Sequence, residues 1–189
     1  MPLLNSAAGY GALTKALHWT AAGLFAAQLL SGPVMVRMEE GGAVLGLGQD
    51  ALFNWHKTIG LVALGIAVAR LLARRAGALP DWADCLTEGE RRIIPRLETA
   101  LYAAMFVMPL SGLAFVMAGG YGVRFAGLWE LPRPAAEWPL LAGLGQAVHL
   151  GCALVLAGAL AWHLGIVLRH TLWRREGLLR RMLPGRGAV

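Results

Sequence analysis

The chain has 189 residues, a formal net charge of +6, 57% hydrophobic residues and only 15% charged ones, with a mean hydropathy of +0.57. Soluble domains carry about 25% charged residues, so this composition excludes an ordinary water-soluble globular enzyme. It fits one membrane domain spanning residues 1–189.

Runs of about 20 apolar residues mark membrane helices, and four are predicted: 13–36, 53–72, 97–119 and 144–168. The first is too long for a signal-peptide core, and no small-residue cleavage site follows it, so it is read as a retained helix. A Gly-rich loop with Glu39, Glu40 and Asp50 follows, then the second span, which opens on Asn54, Trp55, His56 and Lys57 and closes on Arg70. A polar loop leads to the third span, and a loop holding Pro132, Pro134 and Pro139 leads to the fourth. The expected fold is all-α, an integral membrane four-helix bundle. With both termini in the cytoplasm, the inner side holds thirteen of the seventeen Lys and Arg residues, leaving Arg37, Lys57, Arg124 and Arg133 outside. The basic blocks thus read as topology signals and contacts to anionic membrane lipids, not as a nucleic-acid surface. Cys85 and Cys152 fall in a polar loop and in mid-helix, which argues against a structural disulfide.

All five histidines lie in or beside a span: His18, His56, His149, His163 and His170. The predicted direction of each helix sorts four of them into two depth-matched layers, His56 with His149 outside and His18 with His163 inside. His149 and His163 are about 21 Å apart along the fourth helix. At roughly 100° per residue they also project from nearly one face. A single membrane histidine is often just a hydrogen-bonding group between helices, but ionisable groups in a bilayer are costly and usually functional. Zinc or copper is a competing reading, yet two nitrogens per layer without a matching thiolate or carboxylate are too few for closed tetrahedral zinc. Two imidazoles suffice for haem, because the porphyrin supplies the other four nitrogens and leaves a six-coordinate iron suited to electron transfer. No CxxCH stretch is present, so the haem would be non-covalent. Gly60 and Gly65 on the second helix, and Gly151, Gly158 and Gly165 on the fourth, offer places for close approach of a flat macrocycle or of another helix.

The stretches ALHW at 16–19, NWHKTIGL at 54–61, Arg70, LYAAMFVMPLSG at 101–112 and the His149/His163 pair together resemble the bacterial cytochrome b561 family. The resemblance covers residues 14–184 and implies a four-helix cytochrome of the bacterial inner membrane with two haem b groups. It implies that His18, His56, His149 and His163 are the axial iron ligands and that the fourth helix serves both haems. Several members carry a histidine four positions before the third-helix tyrosine; here that position is Glu98. The resemblance further implies electron exchange with ubiquinone, and for some members oxidation of superoxide at the outer face, an oxidoreductase activity.

His170 lies seven residues beyond His163, on nearly the same helix face, and is the candidate to hydrogen-bond a quinone oxygen, with Trp19 as an aromatic wall. Both are equally the kind of residue that anchors helices at an interface. Lys57 and Arg70 are candidate partners for haem propionates. Cations near His56 (Lys57, Arg124 and Arg133) also fit an anionic donor such as superoxide, although Glu39, Glu40 and Asp50 share that side. Two other functions remain open on the sequence. One is a cytochrome b anchor subunit of a larger dehydrogenase or hydrogenase, and the other is a haem-free bundle for metal binding or transport.

Overall fold

A computed structural model describes residues 2–184. Four long helices dominate it: α1 (Ala12–Arg37), α2 (Gln49–Ala76), α3 (Glu88–Ala118) and α4 (Pro139–Leu168). Each contains most or all of one predicted span. Helix α3 starts well before the predicted residue 97 because Thr87 and Glu90 form a capping box. The Glu90 amide donates to Thr87 Oγ1 at 3.3 Å, and the Thr87 amide donates back to Glu90 Oε2 at 2.9 Å, so two of the helix's otherwise unpaired donors are satisfied. The helix stops where Gly120 adopts a left-handed φ of 74°, a conformation that costs glycine little. Two short antiparallel ribbons decorate the loops, β1 (Ala43–Val44) with β2 (Leu47–Gly48) and β3 (Arg124–Phe125) with β4 (Trp129–Glu130).

Among the described residues, α1, α3 and α4 with its continuation to Trp173 are long and apolar enough to cross a membrane. The predicted second span falls short of that standard. Lys57 near one end of α2 and Arg70, Arg74 and Arg75 at the other leave too short an apolar stretch between them.

The helices expose oil and bury small or polar groups. Leu30, Leu72, Leu150, Leu154 and Trp162 are all exposed, whereas Ala63, Ala67 and Ala104 are buried. An apolar exterior of this kind belongs in lipid. The chain divides into two compact units. The first comprises the chain up to Ala21, Ile66–Ala103 and the chain from Val155 onward; the second comprises Ala22–Gly65 and Ala104–Leu154. Every helix therefore supplies one segment to each unit. Leu156, 1% exposed, is the largest apolar side chain fully buried in the first unit. In the second, α3 and α4 approach closely: a Cβ on Gly145 would lie 2.7 Å from the Phe115 amide nitrogen.

The glycines singled out on α4 behave differently from expectation. A Cβ on Gly151, Gly158 or Gly165 would meet nothing within 4 Å. Counting about 100° per residue, they lie on the side of α4 opposite His149 and His163.

Leu156→Ala is expected to lower stability by about 2–5 kcal/mol through a cavity. Leu154→Ala, at a 77% exposed position, should change it by less than about 0.5 kcal/mol. Thermal unfolding in detergent distinguishes the two.

Candidate functional site

In the first unit, α1 and α4 bring His18 and His163 together, with ring centroids 6.2 Å apart. The Trp19 ring meets His18 edge-on at 5.4 Å. Arg70, on α2, carries its guanidinium 5.7 Å from the Tyr102 ring centroid. Its Nε and Nη1 are buried without a hydrogen-bond partner, which is costly for a cation unless an anion completes the site. Arg74, in contrast, pairs with Glu98 and lies over the same tyrosine at 5.5 Å. The Glu98 carboxylate is thus engaged in holding an arginine.

In the second unit, α2 and α4 bring His56 and His149 together, again with centroids 6.2 Å apart. Here the supports are explicit. His149 Nδ1 lies 2.8 Å from the Met108 carbonyl oxygen, and His56 Nδ1 lies 3.2 Å from Ser31 Oγ. The Gln28 side-chain amide donates to the His56 carbonyl at 2.9 Å. Anchoring Nδ1 in this way fixes ring orientation and leaves Nε2 as the available ligand atom, the usual arrangement for a metal-bound histidine. Room for the His149 ring exists because residue 112 is glycine; a Cβ there would lie 2.9 Å from two ring atoms. Lys57 donates through Nζ to the Gly122 carbonyl at 2.9 Å, which leaves two of its three donors for another acceptor.

His170 sits apart from these pairs, in the π-helical turn Arg169–Trp173 that continues α4. Its side chain is fully buried, with Nε2 2.9 Å from Glu90 Oε1 and Nδ1 2.6 Å from Glu176 Oε2. Both ring nitrogens are therefore taken by carboxylates. Where the sequence reading gives His170 to a quinone oxygen, the structure surrounds the ring with two carboxylates and buries it. Trp19 is placed differently. Half-exposed, it donates its indole N–H to the Met182 carbonyl at 2.9 Å and borders an apolar groove of about 500 Å³ together with Lys15, Leu183 and Pro184.

Ser31 carried no recognisable signal in the sequence, and Met108 and Gly112 entered only as members of the LYAAMFVMPLSG stretch, since their roles depend on which helices face each other. Glu90 did carry one, the Thr-x-x-Glu capping pattern ahead of an apolar run. Gly112→Ala is expected to displace the His149 ring at a cost of about 1–3 kcal/mol. The measurement is haem retained per polypeptide, which should fall while the chain stays folded.

Comparison with known proteins bears directly on these paired imidazoles. Residues 9–185 match the family described as prokaryotic cytochrome b561. The chain is also 24% identical, over 97% of its own length and 95% of the relative's, to cytochrome b561 homolog 2 of Escherichia coli strain K12. The family match covers nearly the whole chain, so the four histidines, their supports and the apolar helices all fall inside it, and the chain belongs to the prokaryotic cytochrome b561 family of membrane-bound, electron-transferring b-type cytochromes.

Proposed function

We propose that this chain is a dihaem cytochrome that carries electrons through the bacterial inner membrane, with ubiquinone at one end and an anionic outer-face donor, superoxide, at the other. The observation that carries the reading is the equal spacing of the two imidazole pairs, 6.2 Å between centroids in each. Rings at that spacing would leave room between them for one metal atom held by a nitrogen of each. His18 and His163 would hold one haem, and His56 and His149 the other. When bound, each haem supplies one-electron redox chemistry, and two histidine ligands leave no open position for oxygen activation.

The remaining work falls to the polypeptide. Ser31 and the Met108 carbonyl hold His56 and His149 in orientation. Arg70, with two buried donors lacking partners, is the natural counter-charge for propionate at the His18/His163 haem. Lys57 supplies the corresponding charge beside His56. The groove at Trp19 suits a quinone ring, because it is apolar, has the Lys15 ammonium nearby, and its aromatic wall touches His18. Lys57 and Arg124 offer attraction to superoxide, whereas Arg133 is already paired with Glu130. The distribution of Lys and Arg supports a cytoplasmic side for both termini.

A pyridine haemochrome assay on detergent-purified protein should give two b haems per polypeptide. His56→Ala or His149→Ala should each remove one haem and retain the other. Loss of both haems from a folded variant would refute the two-pair assignment. Trp19→Ala should keep both haems yet weaken quinone binding about two- to tenfold, the contribution of one aromatic contact, as read from quinone-dependent oxidation of the reduced protein. Unchanged quinone kinetics would remove the groove from the site.

A further inference from the structure

A second cluster of metal-ligating side chains lies in the first unit and takes no part in the electron path. Cys85, His170 and Glu176 each offer one ligand atom, and these atoms all lie within 4.8 Å of one another. We propose that Cys85, His170 and Glu176 form a zinc site, with the His170 ring held from behind by Glu90.

The donor set is the first argument. One thiolate, one imidazole and one carboxylate match the ligand chemistry of zinc, with a water completing four-coordination. A tetrahedral ion with bonds of about 2.0–2.3 Å needs donors about 3.3–3.8 Å apart. The existing spacing meets that with side-chain rotations of about an ångström. His170 Nδ1 already faces Glu176 Oε2 at 2.6 Å.

The support behind the ring is the second. Glu90 Oε1 accepts from His170 Nε2 at 2.9 Å, which is the carboxylate–histidine arrangement that fixes the tautomer and raises the basicity of a metal ligand. Glu90 is itself immobilised. Its Oε2 accepts from the Thr87 amide and hydroxyl at 2.9 and 2.8 Å, and Arg169 donates to Oε1 at 3.1 Å. The Glu176 backbone is tied down as well, because its amide donates to the His170 carbonyl at 2.8 Å.

The third argument is charge. A zinc ion among His170 Nδ1, Glu176 Oε2 and Cys85 Sγ displaces to solvent the protons those atoms hold, while Nε2 stays hydrogen-bonded to Glu90. The ion's two positive charges are then balanced by the Cys85 thiolate and the Glu176 carboxylate, with Glu90 still paired with Arg169. The site would fasten the segment after α4 to the loop ahead of α3, both within the first unit.

The test is equilibrium dialysis of Zn(II) against tag-free, haem-saturated protein in detergent after treatment with a chelator. One zinc per polypeptide is expected. His170 is fully buried and its replacement endangers folding, so Cys85→Ser and Glu176→Gln serve as the variants, with the haem spectrum as the check on integrity. Each should weaken zinc binding at least tenfold with the spectrum unchanged, and Glu90→Gln should weaken it by about tenfold. Failure of the wild-type protein to bind one zinc would overturn the proposal. So would stoichiometric binding that Cys85→Ser and Glu176→Gln leave intact.

Discussion

The structure turns on the difficulty of keeping an imidazole inside an apolar medium. A ring nitrogen without a partner there costs free energy that lipid cannot return. The chain answers by presenting its membrane histidines in pairs and, for the His56/His149 pair, by giving each Nδ1 an oxygen partner on another helix. In that pair one nitrogen per ring remains, a pattern satisfied by a metal shared between two imidazoles. Much else follows from that requirement. Gly112 leaves room for one ring, Gln28 holds the backbone of another, and small side chains bring the helices close enough to place them.

Charge obeys the same rule. The arginines near the ends of the apolar segments are not equivalent, although they look so in a topology count. Arg74 has Glu98, Arg169 has Glu90, and both Arg70 and Arg74 lie over the face of Tyr102. Arg70 alone of these has two buried donor atoms, Nε and Nη1, without a hydrogen-bond partner, which is why the proposed function gives it an anionic group to hold.

Glu90 links local helix chemistry to tertiary structure. One of its oxygens closes the capping box that starts α3, and the other receives His170 and Arg169 from the far end of the chain. The C-terminal segment is thereby bonded to the beginning of a helix some 80 residues earlier, with Lys15 and Trp19 of α1 donating to the carbonyls of Leu183 and Met182. These bonds shape the groove beside Trp19, so the same network that hides His170 also forms the surface next to His18.

Much of this was legible before any coordinates. Long apolar runs can satisfy their backbone in lipid only as helices, so the four elements follow from hydropathy. The pairing of His18 with His163 and of His56 with His149 follows from helix direction and rise, and the family resemblance rests on motifs read in order. Hydropathy alone did not show how closely charges at both ends of α2 bracket its apolar stretch, nor that the α4 glycines face away from the histidines until helical phase was considered. The fate of His170 lay beyond the sequence entirely. Its carboxylate partners come from a capping box distant in the chain and from a residue just past the helix, and only the folded backbone brings them to opposite nitrogens of one ring. Periodic, local physics fixed the helices and the expected depth of each paired histidine. Which side chain stands behind each ring was decided by contacts between helices, which no local pattern encodes.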